Sequence, residues 1–113
     1  MQSMEEMFAA AQKAAENIQK QMTDVQAKLD TVEVEGQSGG GLVRIRCTAR
    51  GRILSVSIDD SLMQPEEKQM LEDLVTAAFN DARTKADTAA NREMQQAQQG
   101  LGLPPGFNLP GMG

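Results

Sequence analysis

Apolar residues at Met4, Phe8, Ala11, Ala15, Ile18, Met22, Val25, Leu29 and Val32 recur in alternating steps of four and three. That spacing defines one heptad seam along a single helix face. Polar residues fill the positions between, among them Gln12, Lys13, Glu16, Asn17, Gln19, Lys20, Gln26 and Lys28, and neither Pro nor Gly interrupts Met1 to Glu35. Glu16 precedes Lys20 by four residues, and Asp24 precedes Lys28 likewise, the favourable order for ion pairs within a helix. The pattern predicts a helix over about residues 3–30, roughly 40 Å long, against about 23 Å for a seven-residue strand. Such a helix overhangs any sheet this chain can build, and its seam requires a second helix or a second subunit.

The period then changes. The β-branched Thr31, Val32 and Val34 predict a strand over about 31–36, ended by Gly36. Two further strands follow over about 42–49 and 52–58. With Arg50-Gly51 as a two-residue turn, Val43 faces Ile58, Ile45 faces Val56 and Cys47 faces Leu54, while Arg44 faces Ser57 and Arg46 faces Ser55. One face of this hairpin is apolar and the other basic, and no acid occurs between Gly36 and Ile58. The segment GQSGGG at Gly36 to Gly41 has a GxxxxG spacing. It lacks the following Lys and Ser or Thr of a phosphate loop and opens a strand instead of a helix, so it reads as a connection between antiparallel strands.

Asp59, Asp60 and Ser61 are capping residues, and Pro65-Glu66-Glu67 suits a first helical turn. A second helix is predicted over about 65–99. Its stripe is Leu71, Val75, Ala78, Ala82, Ala86, Ala89 and Met94, widened early by Leu74 and Phe79. Large residues lead and alanines follow, so the first half is expected to pack on the sheet and the second to project or to pair with another slim helix. One domain over 1–100 is expected, followed by a Pro/Gly-rich tail over 101–113, LGLPPGFNLPGMG. The tail carries Leu103, Phe107 and Leu109 and could lie back on a groove as a strap.

Composition narrows the chemistry. The chain has no His and one Cys, which removes imidazole bases, Cys/His nucleophile pairs, Cys/His zinc ligation and internal disulfides. No enzyme, metal or cofactor is therefore expected. Cys47, on the apolar side of the hairpin, reads as a small buried hydrophobe. The longest apolar run, Met7 to Ala11, is too short for a membrane span or a signal segment, and a cytoplasmic protein without a membrane role is expected.

A net charge of -5 sets the formal balance against a polyanionic partner at long range, so any such contact must use local arrays of cations. Lys13 and Lys20 lie one heptad apart opposite the seam, with Lys28 near the same line. Arg83, Lys85 and Arg92 form a second group, diluted by Asp81, Asp87 and Glu93. Arg44 and Arg46 form a third, among Ser and Thr on the hairpin.

Four segments carry a resemblance: Gly39 to Val43 (GGGLV), Ser57 to Leu62 (SIDDSL), Met70 to Ala82 (MLEDLVTAAFNDA) and Leu103 to Phe107 (LPPGF). Together with the long first helix they make the chain resemble the YbaB/EbfC family of bacterial nucleoid-associated proteins. The resemblance implies an α+β fold with an α-β-β-β-α protomer, a three-stranded antiparallel sheet flanked by two long helices, and a tweezer-like homodimer in the nucleoid. It implies duplex DNA as partner, with limited sequence preference, bound mainly through phosphates and altered or organised in conformation, with gene expression a downstream effect. Lys13, Lys20, Lys28, Arg44, Arg46, Arg83, Lys85 and Arg92 are then the expected DNA contacts. The alternative is a coiled-coil adaptor with little DNA affinity, which binds another protein through its seam or its tail.

Overall fold

The computed structural model describes residues 3–100; the Pro/Gly-rich segment 101–113, and with it the expected strap, lies outside them. The elements are α1 (Met4–Leu29), β1 (Glu33–Ser38), β2 (Val43–Thr48), β3 (Ile53–Ile58), 3-10 turns at Asp60–Leu62 and Pro65–Glu67, and α2 (Lys68–Gly100). The order is α-β-β-β-α, an α+β protomer with two long helices and one antiparallel sheet, β1-β2-β3. Ser3 starts α1 with a capping box: its side chain accepts from the Glu6 amide while the Glu6 carboxylate accepts from the Ser3 amide. No helix among the described residues is long and apolar enough to cross a membrane.

β1 runs through Gly36 instead of ending there. Gly36 pairs with Ile45 and is buried under α2, whose line of Ala78, Ala82 and Ala86 is also buried. Small residues on both sides let the helix backbone settle onto the strand. Val43, Ile45 and Cys47 of β2 complete the core with Leu62, and Val34, Ile58, Leu71, Leu74 and Val75 pack around it. The sheet is covered by α2, and α1 packs on α2, where Lys28 meets Glu93 in its second half.

The hairpin differs from the expected register at its end. Val43, Arg44, Ile45 and Arg46 pair with Ile58, Ser57, Val56 and Ser55, but Cys47 pairs with Ile53, which leaves Leu54 as the extra residue of a β-bulge. A two-residue turn would have required Arg50 to take a left-handed conformation, which favours Asn, Asp or Gly. The chain instead turns over Ala49-Arg50-Gly51, with Gly51 at φ 99° and its amide donating to the Thr48 carbonyl at 2.9 Å.

The molecule is 77 Å long and 22 by 17 Å across. Lys28 meets Glu93 across the two helices. From Glu93 back to the start of α2 is about 38 Å, and from Lys28 back to Met4 about 36 Å. Only an antiparallel arrangement, with the two helices overlapping along their C-terminal turns and running out in opposite directions, gives the observed length. The first half of α1 therefore projects beyond Gly100, and its seam residues there are open: Met4 is 87% exposed and Phe8 72%.

Candidate nucleic-acid interface

The eight expected contact residues divide by what they touch. Lys13 and Lys20 stand exposed on the projecting half of α1, and neither enters an ion pair among the described residues. One heptad apart, they lie about 10 Å from each other along one helix face. Lys28 leaves that row. Its Nζ sits 2.9 Å from Glu93, whose side chain is only 16% exposed, so the expected ion pair with Asp24 gives way to a tie between the helices. The expected Glu16–Lys20 pair does not form either, which keeps Lys20 available.

The basic face of the hairpin is less pure than its own sequence suggests. β1 lies alongside β2 and contributes Glu35 opposite Arg46 and Gln37 opposite Arg44. Arg46 is paired with Glu33, and Arg44 Nε donates to the Gly41 carbonyl at 3.3 Å. Arg52 reaches Asp30 at 3.8 Å. Thr48, expected among the hydroxyls of that face, is buried, its Oγ1 accepting from the Arg52 amide.

On α2 the three cations part company. Lys85 closes the outer edge of β1 together with Asp81: Lys85 Nζ donates to the Glu35 carbonyl at 2.9 Å, Asp81 Oδ2 accepts from the Gln37 amide at 2.9 Å, and the two side chains are 3.0 Å apart. An edge strand that would otherwise present free amides and carbonyls is thereby occupied. Arg92 shares a shallow cleft with Lys85, Val34 and Glu35 and makes no ion pair among the described residues. Arg83 lies on the other side of α2, in a groove that it lines with Arg50, Ile53 and Phe79. Arg50, at the hairpin tip, was not among the expected contacts, yet it too is exposed and enters no ion pair among the described residues. Its signal in the sequence was position alone, beside the turn glycine.

The Gln37 amide bond, and after it the Lys85 side chain, holds the Asp81 carboxyl below its ordinary value of 3.8. A carboxylate depressed on folding contributes stability that is fully present above its unfolded value and is lost as pH falls through the folded one. The β1 edge should accordingly open only in acid below pH 3.8. In a pH titration followed by NMR, the Gln37 amide shift should move together with the Asp81 carboxyl, at a midpoint below that value; a midpoint at or above it would contradict the assignment. Ser61, through its side chain and its amide, likewise lowers Asp59 as it caps the first 3-10 turn. Burial raises the Cys47 thiol, as suits an inert core residue.

β3 contrasts with β1. No side chain among the described residues bonds to its outer edge, and Ile53, Val56 and Phe79 leave 44%, 47% and 40% of their surfaces exposed on the α2 side of the sheet. The uncovered apolar area therefore lies on the face opposite Arg44 and Arg46.

Residues 1–101 match the model of the YbaB/EbfC DNA-binding family. The chain belongs to that family. This YbaB/EbfC chain is 51% identical over 102 residues to a nucleoid-associated protein of Nitrobacter hamburgensis, covering 90% of this chain and 96% of the other. It is 49% identical, with the same coverage, to a nucleoid-associated protein of Rhodopseudomonas palustris. Among solved structures, its fold is similar to that of an uncharacterized protein of Helicobacter pylori, with a TM-score of 0.64 at 20% identity, over 88% of this chain and 98% of that one.

Proposed function

We propose that this YbaB/EbfC protein works as a homodimer in the bacterial nucleoid, within the cytoplasm, where it grips duplex DNA through phosphate contacts and organises its path with little base readout. The observation that carries the reading is the unpaired Lys13 and Lys20 on the projecting half of α1. Cations in a row on a helix that stands clear of its own sheet can follow a phosphate backbone while the acidic body stays outside the contact. The relatives' name, nucleoid-associated protein, favours the same reading. Nothing in this reading calls for a catalytic step.

The open β3 edge and the apolar surface of Ile53, Val56 and Phe79 support a second subunit seated on that side. A copy seated there covers that surface and leaves the lysines of α1 and the arginines of the hairpin outward. Fluorescence anisotropy with a duplex oligonucleotide tests the binding: affinity should fall by about a hundredfold between 50 and 200 mM salt if roughly four phosphates are neutralised per dimer. A dimer that binds with salt-independent affinity, or fails to bind at 50 mM salt, would remove the proposal. In the same series V56D should sediment as a monomer and bind more weakly, whereas a V56D dimer would move the subunit contact elsewhere.

A further inference from the structure

The seam of α1 changes character along its length. Leu29 is buried, Val25, Met22 and Ile18 are half-buried, and Ala15, Ala11, Phe8 and Met4 are exposed. The change falls where α2 stops: the helices are antiparallel and Lys28 meets Glu93, so the end of α2 at Gly100 comes level with Gln21 of α1. The start of α1 is thus an arm with an apolar stripe and no facing helix among the described residues, an arrangement that is marginal in water by itself. We propose that a second copy of this chain supplies the facing helix, the two arms packing antiparallel with Phe8 of each seated against Ala11 of the other.

Size, charge and space single out this occupant. With the crossing centred between Phe8 and Ala11, Met4 faces Ala15, Phe8 faces Ala11, and the same layers repeat in reverse, so each joins one large side chain to one alanine. Parallel arms would instead stack Phe8 on Phe8 and Ala11 on Ala11, alternating crowded layers with voids. The positions flanking the seam carry little charge. Gln12, Ala14, Gln19 and Gln21 leave Glu5 alone there, and the antiparallel register turns Glu5 toward Gln12 instead of toward another acid. Glu5 and Glu6 also come level with Lys13 of the second copy, a sign complementarity that parallel arms would forfeit. Space allows it too: α1 of the second copy begins opposite Ala15, short of the level of Gln21 where α2 ends. On the order of 1,000 Å² would be covered in total, the low end for a specific interface, which sets the association near tens of micromolar. Lys13 and Lys20 lie on the opposite side of α1 and stay outward, so the contact neither needs nor blocks the phosphate contacts proposed above.

Sedimentation velocity of the full chain from about 1 to about 300 µM, without DNA, tests this. The assembled mass should double with a midpoint in the tens of micromolar, and F8D should abolish the doubling. F8A should raise the midpoint about tenfold, and F8A/A11F, which exchanges large for small within the same layer, should return it to within about threefold of the wild type. V56D, a monomer at low micromolar concentration, should show the same Phe8-dependent step from monomer to dimer, so the arm contact is read whether or not β3 forms the other interface. A wild-type mass that stays constant across the range, or an F8A/A11F protein that associates no better than F8A, would overturn the proposal.

Discussion

Replacing Gly36 with alanine should destabilise the protein by about 3 kcal/mol or more and lower its melting temperature by on the order of 15 °C. A Cβ on Gly36 would stand 2.2 Å from the Ala82 backbone nitrogen, 2.5 Å from the Ala78 carbonyl oxygen and 2.5 Å from the Ala82 Cα. All three are helix backbone, so no rotamer change can make room. Either α2 lifts off β1 or the strand buckles, and each outcome opens the core around Ile45 and Cys47. The same lift would pull Asp81 away from the Gln37 amide and Lys85 away from the Glu35 carbonyl, so the loss extends past the local clash. Thermal unfolding followed by circular dichroism measures it; a G36A protein melting within a few degrees of the wild type would mean that α2 is not seated as described.

Reversing Lys13 and Lys20 together should weaken duplex binding at least tenfold at 50 mM salt and reduce the slope of log affinity against log salt by about two to four, since each lost phosphate contact removes about one unit. Reversing Arg44 and Arg46 should do less. Arg46 is already engaged by Glu33 and Arg44 by the Gly41 carbonyl, so these arginines have partners to give up before they meet a phosphate. The fold should survive the lysine changes, because both side chains are exposed. If the arginine pair flattens the salt dependence more than the lysine pair, the contact surface lies on the hairpin and the projecting arm has another role.

How far the sequence speaks depends on whether the deciding force is local. The heptad seam of α1, the alternation of β2 and β3 and the Pro-Glu-Glu start of the second helix are set by periodicity and capping within a few residues, and all were legible. The Leu54 bulge was half legible: a Gly at position 51 announces a turn, but Arg before it is a poor fit for a two-residue loop, and the third loop residue shifts Ile53 into the place opposite Cys47. Gly36 misled, because a glycine in a short strand reads as its end when the alanines that need its missing side chain stand more than forty residues away. Charge was misjudged for the same reason. Arg46 looks unopposed within its hairpin, and only the pairing of β1 with β2 brings Glu33 within reach. Lys28 and Lys85, too, are claimed by groups distant in sequence, Glu93 and the β1 backbone.

The unequal edges of the sheet limit growth. A strand-to-strand join that leaves a second free edge on each chain propagates without end, which is how fibres form. Here one margin is already occupied by Asp81 and Lys85. Pairing through the other therefore consumes the last open strand on both chains at once, and sheet polymerisation is self-terminating. Removing that stop with D81A and K85A together would turn a bounded assembly into one that can lengthen.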